Sequence, residues 1–537
     1  MTLKERISLF TNQKQHTILS ASLVLAIAFG VSAILGFLRS RFLNNAFFAT
    51  EPGNLDVYIA AFRIPDLIFK LLVTGALSAS FIPVFSSYLH KDKEEANKLA
   101  STVITLLFIL FTLISIVVLI FTRPICEFIT GSFNPEQITL MVNLTRILLI
   151  AQVFFLLSNF LTGILQIHQV FIVPALSPII YNIFIILSIF ALTPTFGIYG
   201  PVYGAIIGAF FHLAIQVPIV KKQGFRFSPN FNFAHQGVKD IVRLMIPRSL
   251  SLGLGEIENT VTLFFTTSLS AGSVVLLNLA LQLMYLPSRI FGTTVGQASL
   301  PMLSKNIARN ELNTFRETVN KIILQSLYIA LPITVLVLIH RLAIVRITFG
   351  SKQFPWSATL LTARTLAYLT PAIASQAIIQ ILIRSFYAMH DTKTPLKVSA
   401  FSLITNVFSG YYFINYTDLG IVGLAISASL GNLSQCLGLL YFYIKKVDGV
   451  NWNQILVRFG KICLSSVIMG VVSWVTLQFL DLFVLDTSKT INVIFLFGFS
   501  TLFAAIIYFI TSYLLKIEEY GDYQRYFVKF RRLIFKR

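Results

Sequence analysis

The chain has 537 residues, of which 56% are hydrophobic and only 12% charged, with a formal net charge of +20. Soluble domains carry about 25% charged residues, so a soluble enzyme or globule is excluded and the chain reads as a polytopic membrane protein throughout. The basic residues are dealt out between apolar segments rather than gathered into one patch, and no nucleic-acid partner is expected.

The N-terminal stretch MTLKERISLFTNQKQ is polar and basic and lacks the h-region and small-residue cleavage site of a signal peptide, so the first span is expected to be retained. About fourteen apolar segments of spanning length follow, centred near residues 30, 73, 110, 153, 181, 209, 257, 286, 328, 373, 404, 432, 468 and 503. Lys and Arg alternate across the connections, with roughly 28 on one side and about 5 on the other, which the positive-inside rule reads as both termini cytoplasmic. Arg341, Arg346 and Lys352 fall against this trend, on the outer side.

In the first span, SAILGFLRSRF places Arg39 one turn beyond Gly36. The second segment, Asp56–Tyr88, is the anomaly: Asp56, Arg63 and Lys70 recur every seven residues. Seven residues is nearly two helical turns, so these charges share one stripe, joined by Asp66. Each would cost about 2.5–3.5 kcal/mol at the centre of a bilayer, so the stripe is expected to face a protein-lined aqueous cavity. Later segments add Arg248, Glu256 and Arg289 as candidates for the same cavity. Glu256 and Glu258 are two residues apart and point away from one another on a helix, so only one can serve. Embedded basic residues outnumber embedded acidic ones, which suits an anionic ligand.

A repeat organises the rest. Gly197, Gly200 and Ala205 recur as Gly420, Gly423 and Ala428, each 223 residues later, and the Lys221–Lys222 pair is echoed by Lys445–Lys446. The expected fold is an all-α polytopic membrane protein: two parallel-repeat lobes of about six helices each, plus two extra C-terminal helices. Boundaries are expected at 1–222 and 223–446 for the lobes, 447–516 for the extra helices, and 517–537 for a tail. Tyr520, Tyr523, Phe527, Phe530 and Ile534 recur in that tail at helical spacing among basic residues, which predicts an amphipathic helix on the inner leaflet.

No phosphate-cradling Gly-rich loop is present, so the chain is not expected to hydrolyse ATP. The seven histidines are dispersed, and the three cysteines read as small buried hydrophobes. No catalytic residue, metal or cofactor is implied.

Six stretches carry a family resemblance: LGFLRS (Leu35–Ser40), DVYIAAFRIPDL (Asp56–Leu67), GALSASFIPVFS (Gly75–Ser86), VPALSPIIYN (Val173–Asn182), LPMLSK (Leu300–Lys305) and RSFYAMHDTKTPLKV (Arg384–Val398). Together they resemble the MurJ (MviN) lipid II flippases of the multidrug/oligosaccharidyl-lipid/polysaccharide exporter superfamily. The resemblance implies a bacterial inner-membrane transporter rather than an enzyme. It would rock between inward-open and outward-open states and carry undecaprenyl-pyrophosphate-linked peptidoglycan precursor between leaflets. Arg39, Asp56 and Arg63 match motif positions of the cationic cavity, and Asp56 would orient an arginine or join a gating pair. The expected partners are lipid II or a related polyprenyl-pyrophosphate glycan and the bilayer, with sodium or protons as candidate coupling ions. The chain departs from the family at Ala33, Phe69, Leu281, Gln282 and Tyr285, where charges are usual, with Lys70 standing beside Phe69. These departures keep open a flippase for another polyprenyl-pyrophosphate-linked glycan and a non-transporting lipid-binding membrane scaffold.

Overall fold

The computed structural model describes residues 18–524, apart from 76, 233, 290–291, 293 and 448–451. The side chains of some further positions, Arg248 among them, lie outside the description. Among the described residues the chain is helical and contains no strand.

The expected segments appear as helices. They are α1 (Ile18–Phe47), α2 (Pro52–Ala61), α3 (Arg63–Phe69), α4 (Ile82–Leu89), α5 (Lys93–Ile129), α6 (Pro135–Ile167), α7 (Ile172–Ala191), α8 (Thr193–Phe196), α9 (Tyr199–Ala214) and α10 (Val217–Lys222). There follow α11 (Gln236–Thr267), α12 (Ser273–Ser288), α13 (Thr294–Ala308), α14 (Leu312–Phe349), α15 (Trp356–Ala388), α16 (Lys393–Tyr416), α17 (Ile421–Lys446), α18 (Trp452–Phe483) and α19 (Thr490–Leu514).

Among the described residues, ten helices are long and apolar enough to cross a membrane. The four expected segments that miss this mark are those centred near 73, 257, 286 and 404, so the count of fourteen spans is not reached on these criteria. Two of the four fall short for a reason that bears on function. The second segment is broken into α2, α3, two π-helical turns at Lys70–Thr74 and Leu77–Phe81, and α4. π-Turns are rare and concentrate at functional sites. Helix α11 carries Lys239, Asp240, Arg243, Arg248, Glu256 and Glu258, too many charges for a lipid-facing span.

The chain divides into two compact units, residues 1–275 with Ser351–Phe354, and residues 276–350 with 355–537. The division falls after Val275. The cause is α11, which is bound along the second segment and so belongs to the first unit.

Within the first unit, termini are capped where the chain enters a span. Asp92 accepts from the Glu94 amide at 2.7 Å at the start of α5, and Asn134 and Gln137 form a capping box at the start of α6. Gly204 and Gly208 let α9 press onto Ser188 and Tyr181 of α7, the small-residue packing that replaces hydrophobic drive inside a membrane. Between α6 and α9 lies a buried polar knot. Ser158 Oγ meets His212 Nδ1 at 2.5 Å, and Gln216 Nε2 donates to Ser158 Oγ at 2.7 Å.

The second unit packs α14, α15 and α17 around Leu327, Leu382, Phe386 and Leu439. A separate core joins α14 to α18 and α19, where Tyr508 donates to the Tyr328 carbonyl at 2.7 Å. The first part of the tail docks onto that core. Tyr523 stacks on Tyr328 with 5.6 Å between ring centroids, and Tyr520 sits against Tyr513 and Phe509. Tyr520 and Tyr523 were expected to enter the inner leaflet; they pack on protein because Arg458 pairs with Glu518 and Glu519, and Lys321 with Asp522. Residues 525–537, with Phe527, Phe530 and Ile534, lie outside the described residues.

Candidate functional site

The charged stripe of the second segment and α11 run antiparallel and are tied together at intervals along their length. At one end Ser249 Oγ donates to the Leu71 carbonyl at 2.5 Å. Gly253 stands against the Leu71 side chain, where a Cβ would be in ordinary contact at 3.5 Å. In the middle lies the ion-pair cluster. Arg63 Nη2 donates to Glu256 Oε2 at 2.6 Å and to the Glu256 carbonyl at 2.9 Å, and Arg63 Nε donates to Thr260 Oγ1 at 3.2 Å. Lys70 Nζ donates to the other carboxylate oxygen, Glu256 Oε1, at 2.9 Å. One carboxylate therefore holds two cations, one on each oxygen.

Exposure separates the members of the cluster. The side chains of Glu256 and Arg63 are 8% and 16% exposed, and that of Lys70 is 41% exposed. An ammonium has three donors; one is spent on Glu256, and the open face of Lys70 is where a new acceptor can reach the cluster. Asp66, on the same stripe, accepts from Gln152 Nε2 of α6 at 2.9 Å and lies within electrostatic range of Lys70, Arg63 and Glu256.

Asp56 has a different task from the one expected. It is 3% exposed and, among the described residues, pairs with no arginine. Its Oδ2 accepts from the Gly272 amide at 2.6 Å and its Oδ1 from the Val275 amide at 2.9 Å. These amides open α12, so a carboxylate from α2 caps a helix 216 residues later in the chain, where the N–H groups and helix dipole favour an anion. Gly272 makes the turn at φ +90°, a conformation that side-chain-bearing residues rarely adopt. Nearby, Thr267 Oγ1 of α11 accepts from the Gly131 amide at 2.9 Å.

The other sequence candidates are placed as follows. Arg39 is half-exposed on α1, within electrostatic range of Tyr58 and Tyr181. Arg248 lies on α11, its side chain outside the described residues. Arg289 belongs to the second unit, exposed, its guanidinium carbon 6.0 Å from the centre of the Tyr285 ring. The structure thus brings Arg63, Lys70, Glu256 and Asp66 together. Their formal charges sum to zero, whereas the sequence led us to expect a surplus of positive charge.

Thr260, Gln152, Ser249 and the Gly272 turn were missed from the sequence. A signal for two of them, Ser249 and Thr260, was present. Ser249, Gly253, Glu256, Thr260 and Thr267 form a stripe of small and polar residues along α11 at helical spacing, the same pattern that exposed Arg63 and Lys70.

A family model described as "Lipid II flippase MurJ" matches residues 43–513. The chain belongs to the lipid II flippase MurJ family. Among curated relatives, a probable lipid II flippase MurJ of Bdellovibrio bacteriovorus is 25% identical over 96% of this chain and 98% of its own length. A second, from Rickettsia prowazekii, is 28% identical over 94% of this chain and 99% of its own. A solved lipid II flippase MurJ in an inward closed conformation superposes with a TM-score of 0.75 at 25% identity, covering 92% of this chain and 98% of that one. The fold is also shared with an inward-facing multidrug resistance MATE family transporter of the MOP superfamily, which matches with a TM-score of 0.63 at 15% identity, over 79% of this chain and 98% of that one. Members of the MurJ family are multi-pass membrane transporters, not enzymes.

Proposed function

We propose that this protein moves lipid II, the undecaprenyl-pyrophosphate-linked peptidoglycan precursor, from the inner to the outer leaflet of the bacterial cytoplasmic membrane by alternating access. Both termini face the cytoplasm on this reading, and the membrane potential, sodium or protons supply the drive. The observation that carries the step from family to mechanism is the position of Glu256, whose carboxylate sits between Arg63 and Lys70 where an anionic ligand would sit.

A pyrophosphate offers more charge and more acceptor oxygens than a carboxylate. It reaches Lys70 first, through the exposed side of the ammonium, and then competes for Arg63 through charge-assisted hydrogen bonds, in which a guanidinium fork matches phosphate oxygens. Glu256 is the internal anion that keeps both cations paired when no cargo is bound, because an unpaired charge within the span is costly. Its displacement loosens α11 from the second segment, which couples cargo binding to movement of a helix. The sugar–peptide head needs such a polar shelter, since each unsatisfied polar group costs several kcal/mol in hydrocarbon.

The test is lipid II accessibility at the outer leaflet of cells depleted of this protein and supplied with either the natural chain or Arg63→Ala. Export should be restored by the first and not the second. Unchanged export after depletion overturns the assignment, and full rescue by Arg63→Ala overturns the assigned site.

A further inference from the structure

A second polar site lies within the second unit. A cavity of about 710 Å³ is lined by the end of α14, the start of α15, the end of α18 and the start of α19, within the range of roughly 300–1,000 Å³ usual for ligand pockets. All four helix ends meet at one membrane face, because α14 connects to α15 there and α18 to α19. Its floor is apolar, built from Leu342, Leu477 and Leu496. Leu338 and Trp474 stand far enough from the ends of α14 and α18 to take the cavity about 15 Å below that face, at 1.5 Å per residue.

The rim is polar and aromatic. Arg346 donates to the Thr487 and Ser488 carbonyls, both at 2.6 Å, and its guanidinium carbon lies 5.8 Å from the centre of the Trp356 ring. Arg346 is thus occupied in holding the α18–α19 connection over the cavity. Arg341 is not so occupied: it is exposed and donates to the Leu338 carbonyl of its own helix at 2.7 Å. Among the described residues it has no acidic partner. Asp481 also lines the cavity, exposed and without an ion pair or hydrogen bond among the described residues. Trp356 and Trp474 are 53% and 54% exposed; Trp356, the first residue of α15, stands at the mouth of the cavity, and Trp474 lies deep within it.

We propose that this cavity is a binding site for an aminophospholipid. Arg341 takes the phosphodiester, Asp481 takes the ammonium, and the leucines together with the face of Trp474 take the upper part of an acyl chain. The Asp481 carboxylate selects a zwitterionic amine-bearing headgroup over a purely anionic one. On the orientation proposed above, the bound lipid belongs to the outer leaflet. Two arginines so near the outer face, against the charge rule that orders the other connections, have a purpose there as lipid ligands and loop anchors.

Two of the three tryptophans, Trp356 and Trp474, line this cavity, so the site reports on itself. The full chain carrying Trp452→Phe is placed in nanodiscs of phosphatidylcholine and titrated with phosphatidylethanolamine brominated on the upper acyl chain. The expected result is saturable quenching at low mole fraction, with roughly tenfold weaker apparent affinity in Arg341→Gln. Brominated phosphatidylglycerol quenches less well, and Asp481→Asn removes that preference while near-ultraviolet circular dichroism stays unchanged. Soluble glycerophosphoethanolamine does not relieve the quenching, because the chain contributes to binding. Quenching linear in mole fraction and equal for the two brominated lipids overturns the site. Preference for phosphatidylglycerol overturns the role of Asp481, and full relief by glycerophosphoethanolamine overturns the lipid as ligand.

Discussion

Arg63 and Glu256 lie 193 residues apart in sequence and meet through one guanidinium nitrogen that donates both to the Glu256 carboxylate and to the carbonyl of the same residue. The side chain thus holds its partner's charge and its partner's backbone, which fixes the position of α11 along the second segment.

Replacing either residue breaks this largely buried pair, a loss of up to about 3–5 kcal/mol in comparable pairs, although after Arg63→Ala the Glu256 carboxylate keeps Lys70. Glu256→Gln and Arg63→Ala are each expected to lower the unfolding temperature in detergent. The double variant is expected to be less destabilised than the sum of the two, since the interaction can be lost only once. Additive losses in that cycle would mean that the two residues are not coupled.

Lys70→Ala should behave differently. Its pair with Glu256 is 41% exposed on the lysine side, and ion pairs that open to solvent contribute about 0–1 kcal/mol. Stability is expected to change little, whereas binding of lipid II to the purified protein weakens and its salt dependence shallows. Unaltered binding would remove Lys70 from the ligand site.

Asp56→Asn keeps the shape of the side chain but replaces one of the two acceptor oxygens that serve Gly272 and Val275. The loss of a helix cap of this kind costs about 0.5–2 kcal/mol. Hydrogen exchange at the amides of 272–275 is therefore expected to accelerate, with little change along α7 and α9. Gly272→Ala should produce the same local signature, since the turn needs φ +90° and the new Cβ would crowd Phe48. Equal exchange in all three proteins would show that the cap does not hold this end of α12.

Outside the membrane, Asp391 offers a pH test. Burial works to raise its pKa, but hydrogen bonds from Lys446 and Thr394 outweigh it and hold the carboxyl down at about 2, from an ordinary 3.8. A carboxyl depressed by folding contributes stability that is complete above its unfolded pKa and vanishes as pH falls through the folded one. The stability gap between the natural protein and Asp391→Asn is thus expected to be constant near neutrality and to close between pH 3.8 and about 2. A gap that persists in acid would assign the effect to shape rather than charge.

Much of the fold was legible because its determinants are local. Spans announce themselves by length and hydropathy, and the repeat by its glycines. Gly197 and Gly420 adopt nearly the same unusual backbone, φ 55° with ψ −134° and φ 53° with ψ −130°, one at each of two corresponding helix starts. The charges at Arg63 and Lys70 were legible for the same reason, since both lie on one helical stripe. Their partner was harder to see: nothing in the spacing of Glu256 and Glu258 says which faces a helix almost two hundred residues upstream, and only the small and polar neighbours of Glu256 on α11 mark its side. Asp56 was misread because a carboxylate beside an arginine stripe suggests an ion pair, while its true partners are backbone amides, which sequence does not distinguish. Amphipathic spacing is equally suited to lipid and to a protein groove, and Tyr520 and Tyr523, the described part of that pattern, lie on protein. Buried Glu519, paired with Arg458, decided for the groove.

The neutrality of the Arg63–Lys70–Asp66–Glu256 group has an electrical consequence. Each elementary charge moved through the membrane field does about 2.3 kcal/mol of work per 100 mV. A group whose formal charges cancel can change its exposure from one side to the other with no net work against the field. In the proposed alternating-access cycle this group therefore adds no voltage dependence to the unloaded return, and a response to membrane potential enters with other charges, those of the cargo or a co-transported ion among them.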